Sequence, residues 1–136
     1  MIGVIVATHG EFGNILLATL RMILGEIEGV ESLALSSEDS GETFMAKMEK
    51  ALKKVDANEV GALVLVDMLG GTPFNVSVQL AQKRKIEVIT GVNLPMLIKV
   101  SSHRDETDLK LLTSEVQKAT RESIVTTLDL FKKQKD

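Results

Sequence analysis

The chain has 136 residues, of which 44% are hydrophobic, and a formal net charge of -3. That length supports one compact core and is too short for two ordinary domains, so residues 1–130 are expected to form a single domain and 131–136 a flexible tail. The absence of cysteine excludes disulfides, thiolate metal sites and cysteine nucleophiles, while the acidic balance, without Trp or Tyr, argues against a nucleic-acid surface.

Apolar runs of strand length at Ile2 to Ala7, Val30 to Leu35, Gly61 to Val66 and Ile86 to Thr90 alternate with segments of helical period. The rhythm is βαβα, and near-continuous Val, Ile, Leu and Ala predicts strands buried on both faces of a parallel sheet. The first helix, from about Glu11 to Gly25, is expected to bury a stripe of Phe12, Leu16, Leu20, Ile23 and Ile27. A second begins near Ser40 as N-cap and carries Phe44, Met48, Leu52 and Val55 at helical intervals. Thr72 is the expected N-cap of the third, with Pro73 as its first helical residue. A short helix around Leu94 to Ser101 and a longer one from about Asp108 to Ser123 follow. Ile124-Val125-Thr126-Thr127 reads either as a late edge strand or as a helix running on to Phe131. No apolar stretch approaches the roughly 20 residues of a membrane span, and Met1-Ile2-Gly3-Val4 lacks the basic start of a secretory signal, which points to the cytoplasm.

Right-handed crossovers with helices on both faces make 2-1-3-4 a natural strand order, giving a three-layer α/β/α sandwich. Strands 1 and 3 are then neighbours, about 4.8 Å apart. Residues just beyond their C-terminal ends share one crevice, and those residues are His9 and Asp67. A neutral imidazole can attack phosphorus through one ring nitrogen while the other donates to a carboxylate. Gly70 and Gly71, leading into Thr72 at a helix start, offer backbone N–H groups and a hydroxyl to phosphoryl oxygens.

Competing motifs are missing. There is no G-x-x-x-x-G-K-[ST], His9-Gly10-Glu11-Phe12-Gly13 does not match G-x-G-x-x-G, and no G-x-S-x-G elbow occurs. His9 and His103 are the only histidines, so no metal site and no cofactor is expected, and His103, beside Ser102 and Arg104, reads as a surface residue.

Three segments together resemble a known family: Ala7-Thr8-His9-Gly10, Asp67-Met68-Leu69-Gly70-Gly71-Thr72-Pro73-Phe74-Asn75, and Gly91-Val92-Asn93-Leu94-Pro95-Met96-Leu97. They look like the enzyme IIA component of the mannose (mannose/fructose/sorbose) family of the bacterial phosphoenolpyruvate-dependent sugar phosphotransferase system. The resemblance covers about residues 1–130. It implies a phosphotransferase component that accepts a phosphoryl group on His9 from the phosphocarrier protein HPr and passes it to a histidine of enzyme IIB. It implies that Asp67 orients His9 and that Thr72 and the amides of the Gly70 to Thr72 loop contact the phosphoryl group. It also implies a homodimer with an exchanged late edge strand, which would suit Ile124 to Thr127, and indirect association with membrane sugar permease subunits. Unlike fused members of the family, the sequence ends without a IIB domain, so IIB is expected to be a separate chain. Leu69, Pro95 and Met96 read equally as an apolar rim for docking HPr and IIB or as ordinary loop packing. Two other readings stay open: a related phosphocarrier domain of a dihydroxyacetone kinase system, and a regulatory α/β module that binds a small anion without covalent chemistry.

Overall fold

The computed structural model describes residues 1–55, 59–105 and 107–135. In chain order these form β1 (Gly3–His9), α1 (Phe12–Leu24), β2 (Val30–Leu35), α2 (Gly41–Lys54), β3 (Ala62–Val66), α3 (Gly71–Ala81), β4 (Ile86–Ile89), α4 (Leu94–His103), α5 (Leu109–Glu122) and α6 (Thr127–Lys135). The strands make one sheet in the order β2-β1-β3-β4, every pair parallel, as the alternation of strand and helix requires. No helix among the described residues is long and apolar enough to cross a membrane.

Alternate residues of the central strands feed two cores. Val4, Val6, Leu63 and Leu65 pack with Leu17 and Leu20 of α1, Met96, Leu97 and Val100 of α4, and Leu112 and Val116 of α5. Ile5, Ala7, Val64 and Val66 face Phe44, Met48 and Leu52 of α2 and Val76 and Leu80 of α3 on the other side. Each such side chain, fully buried, contributes roughly 1.5–3 kcal/mol relative to exposure, so the central strands are the most strongly held part of the chain.

The second helix starts as its sequence predicts. The Ser40 hydroxyl oxygen accepts from the Thr43 N–H, Thr43 Oγ1 accepts from the Ser40 N–H, and Phe44, Met48, Leu52 and Val55 are all buried. The face of α1 meets expectation in part, since Leu16 and Ile27 pack against the core beside Leu20. Gly13, Leu17 and Leu20 are buried, whereas Phe12 and Ile23 are exposed along with Ile15, Met22 and Leu24. Leu and Ile occur on nearly every side of this helix, so apolar spacing alone does not select its inner face.

The start of α3 is also corrected. Gly70 occupies the cap position and Gly71 is the first helical residue, which puts Thr72 and Pro73 inside the first turn. Both glycines have positive φ, +78° and +80°, so the chain enters the helix through backbone conformations that Thr72 as N-cap does not provide.

Residues 124–127, open to either a strand or a helix from their sequence, follow the helical alternative in the single chain. Among the described residues no strand forms there: 124–126 are irregular and α6 begins at Thr127. The local chemistry favours a helix start. The Thr126 hydroxyl oxygen accepts from the Asp129 N–H at 3.1 Å while Asp129 Oδ2 accepts from the Thr126 N–H at 3.1 Å, a reciprocal cap.

Candidate functional site

The register of the sheet brings the two polar residues together. Ala7 of β1 pairs with Val66 of β3, so the chains leave the sheet side by side, with His9 closing β1 and Asp67 following β3 directly. Asp67 Oδ2 accepts two hydrogen bonds from one residue: the His9 backbone N–H at 2.9 Å and the ring Nδ1 at 2.8 Å. A carboxylate only accepts, so Nδ1 is the donor, and in the neutral ring the lone pair is on Nε2. The His9 side chain is 46% exposed and that of Asp67 is 14% exposed, so the orienting group is sheltered while the reactive ring stays reachable. The second oxygen, Oδ1, is buried and has no hydrogen-bond partner among the described residues, so the carboxylate's hydrogen bonding is directed entirely at His9.

Beyond the ring lies the start of α3. Its first-turn amides have no intrahelical acceptors, and the cap residue contributes no side-chain hydrogen bond. Gly71 lies against the imidazole, where a Cβ would stand 3.1 Å from His9 Cε1, and Thr72 is half-buried in the same first turn. A histidine with a free Nε2, a carboxylate behind its Nδ1 and a row of amide donors alongside has the parts for holding an anion covalently on nitrogen. Helix-terminus attraction for an anion is about 0.3–1 kcal/mol, rising to about 2 kcal/mol when partly buried, which is enough to orient a group without trapping it.

Two supports escaped the sequence reading. Thr8 is fully buried, and its Oγ1 accepts from the Gly13 N–H at 2.8 Å, so it satisfies an amide at the start of α1 that the N-cap, Glu11, leaves unserved. The Gly10 N–H donates to the Leu35 carbonyl at 2.9 Å and ties the turn after His9 to β2. A threonine at a strand end five residues before a helical glycine is the signal that pointed to the first of these. Nothing in the sequence marked the second.

The expected docking residues separate. Leu69 is 72% exposed, Pro95 is exposed, and neighbouring Met68 is exposed as well. Met96 is corrected: at 1% exposure it belongs to the core on the α1, α4 and α5 side and has no surface to offer a partner. The cause is the cap on α4. Asn93 Oδ1 accepts from the Met96 N–H at 2.9 Å, and the Val92 N–H donates to the Val66 carbonyl at 3.0 Å, which together turn Met96 inward and hold this loop against the end of β3. His103 is half-buried at the end of α4, with Nδ1 3.3 Å from the Lys99 carbonyl and Nε2 3.3 Å from Lys99 Nζ. It is not among the residues gathered around Asp67.

Comparisons with known proteins identify relatives of this chain. A family model described as the fructose IIA component of the PTS system matches residues 3–117. The mannose-specific EIIAB component of the PTS system of Escherichia coli K12 is 39% identical over 106 residues, covering 77% of this chain and 32% of that protein, so the chain spans about a third of that relative's length. The fructose-specific EIIA component of Bacillus subtilis is 33% identical over 124 residues, covering 90% of this chain and 84% of the relative. Among solved structures, a phosphotransferase system EIIA component from Streptococcus agalactiae superposes with a TM-score of 0.86 at 33% identity, covering 93% of this chain and 98% of that one. A mannose/sorbose specific IIA subunit from Enterococcus faecalis gives 0.83 at 28% identity, covering 92% and 93%.

Proposed function

The chain belongs to the mannose-family IIA components of the sugar phosphotransferase system, and we propose that it carries a phosphoryl group on His9 Nε2 between two partner proteins. The observation that carries this reading is the double grip of Asp67 Oδ2 on His9, which leaves Nε2 as the free nucleophile. The donor is a phosphohistidine of HPr and the acceptor a histidine of enzyme IIB. The Nε2 lone pair attacks phosphorus, the donor's N–P bond breaks, and its electron pair returns to the donor imidazole. As Nε2 gains its bond the ring becomes cationic, and Asp67 stabilises that charge through the Nδ1 proton, which stays in place. The amides of Gly70, Gly71 and Thr72 and the Thr72 hydroxyl bind the phosphoryl oxygens, and no metal or cofactor takes part. Transfer to IIB repeats the step in the opposite sense, and the carrier returns unchanged.

Exposed Leu69 and Pro95, with Met68, form the apolar rim on which both partners dock in turn. The protein works in the cytoplasm, as part of a system that includes membrane permease subunits and enzyme IIB. It works as a homodimer. Support comes from β4, whose outer edge has no strand paired to it among the described residues, and from a groove of about 540 Å³ along Glu87, Val88, Ile89 and Thr90 beside α5. Ile124, Val125, Leu128 and Phe131 expose apolar surface that a second copy would cover. Family membership favours this sugar phosphotransfer role over the dihydroxyacetone kinase and non-covalent anion-binding readings.

The test is incubation with phosphoenolpyruvate, enzyme I and HPr. One phosphoryl group should be added that mild acid removes and alkali spares, and His9→Ala should accept none. Full labelling of His9→Ala would overturn the assignment of the nucleophile.

A further inference from the structure

The two glycines before Thr72 share a positive φ but not an environment. Gly70 and Gly71 have φ of +78° and +80°, so a side chain at either position meets the same kind of backbone resistance. Around Gly70, a Cβ would meet nothing within 4 Å. At Gly71 it would stand 3.1 Å from His9 Cε1 and 3.3 Å from His9 Nε2, closer than a Cβ ordinarily comes to a neighbour. The ring has little freedom to yield, since its Nδ1 and its own backbone N–H are both held by Asp67 Oδ2. Asp67 is therefore a tether on one side of the imidazole, and the bare Cα of Gly71 bounds the other.

We propose that Gly71 is a positioning residue for His9: its missing side chain sets how far the imidazole can sit toward α3 while Nδ1 stays on Asp67, and keeps the approach to Nε2 clear. The inference rests on the reading of His9 as the phosphoryl carrier, and adds to the amide role of Gly71 a steric one that acts through the histidine. A methyl at position 71 either pushes the ring off Asp67 or crowds the nitrogen where the new N–P bond forms. A methyl at position 70 does neither.

Matched substitutions test this. Gly70→Ala and Gly71→Ala both place a side chain at positive φ, and only the one at position 71 meets the ring, so the His9 tautomer separates contact with the ring from backbone strain. The 15N shifts of the His9 ring read its tautomer without any partner protein, and the rate of phosphoryl transfer from HPr reads its function. Gly71→Ala should weaken the Nδ1-protonated signature and slow transfer at least about tenfold relative to Gly70→Ala, in line with the sensitivity of transfer to sub-ångström misplacement. Gly70→Ala should keep the wild-type tautomer. If Gly71→Ala does not fold, Gly71→Asn carries the same Cβ on a residue that better tolerates positive φ. Identical tautomer shifts and rates in the two alanine variants, or a wild-type His9 in Gly71→Ala, would overturn the proposal. If wild-type protein accepts no phosphoryl group, the carrier reading fails while the tautomer comparison still decides the steric role.

Discussion

The two ends of the sheet hold polar groups on opposite terms. At the C-terminal end His9 is nearly half exposed and keeps one ring nitrogen uncommitted. At the N-terminal end Arg104 is 3% exposed: its guanidinium donates to the Glu28 carbonyl and the Met1 sulfur, and Gly29 lies so close that a Cβ there would stand 2.8 Å from Nη2. Burial pushes the Arg104 guanidinium below its ordinary pKa, against the opposing pull of Asp105 and Glu28, yet it holds the starts of β1 and β2 to the end of α4. A charge enclosed by backbone serves the fold; a base sheltered on one side and open on the other serves chemistry. Exposure of a single atom separates the two uses.

Mutations at the two ends should therefore fail in different currencies. The largest effect is expected from Asp67→Ala, which should slow phosphoryl transfer about 100-fold while leaving some labelling, because the carboxylate orients the nucleophile and forms no bond to phosphorus. Transfer at wild-type rates to both partners would remove the functional half of the comparison. Arg104→Ala should instead cost about 2 kcal/mol of stability in urea unfolding, since it deletes a buried hydrogen-bonded group, and should leave the His9 tautomer unchanged. Thr8→Val is intermediate in kind. It keeps shape but leaves the Gly13 amide unserved, for a loss of about 1 kcal/mol and a mild effect on transfer. Thr72→Ala should reduce transfer only a few-fold, roughly what one neutral hydrogen bond among several contributes. Total loss in a well-folded protein would show that the hydroxyl matters more than the amides.

Acid sharpens the comparison from another side. Asp39, in the loop after β2, accepts from Lys47 at 2.7 Å, from the Ser36 N–H at 2.9 Å and from the Thr43 hydroxyl at 2.9 Å, and these bonds, Lys47 foremost, hold its carboxyl well below the usual range. A depressed folded-state pKa stabilises the fold above the unfolded carboxylate value, about 4, and that contribution is lost as pH falls further toward the folded value. Asp39→Asn should therefore unfold with less dependence on pH below about 4 than the wild type, as acid titration by circular dichroism would read.

Much of this was legible in the chain because the deciding information is local or periodic. The four apolar runs gave the strands and crossover handedness gave the order, which brings His9 beside Asp67 before any coordinate is known. Ser40 announced the cap of α2, and Thr43 completes it in the structure. Other features were invisible for physical reasons. The inner face of α1 is set by which side meets β1, and its own apolar residues point several ways. Helix α3 starts at Gly71 through backbone geometry that no side-chain rule detects. Met96 read as part of a rim together with Pro95, which is exposed, but the Asn93 cap turns Met96 inward. Arg104 acquires its role only from Met1 and Glu28, which are distant in sequence. Val125 and Thr126 favour extended backbone by type, yet Thr126 and Asp129 cap a helix instead.

The two hydrogen bonds that His9 donates to one carboxylate oxygen also bear on tempo. Two attachments to a single residue, one through its main chain and one through its ring, remove the torsional search that an unrestrained half-exposed histidine would repeat at every encounter. The ordering cost is met once, when the chain folds, and not each time a partner arrives. If His9 relays a phosphoryl group as proposed, a nitrogen whose position is the same for donor and acceptor spares each of them the work of placing it.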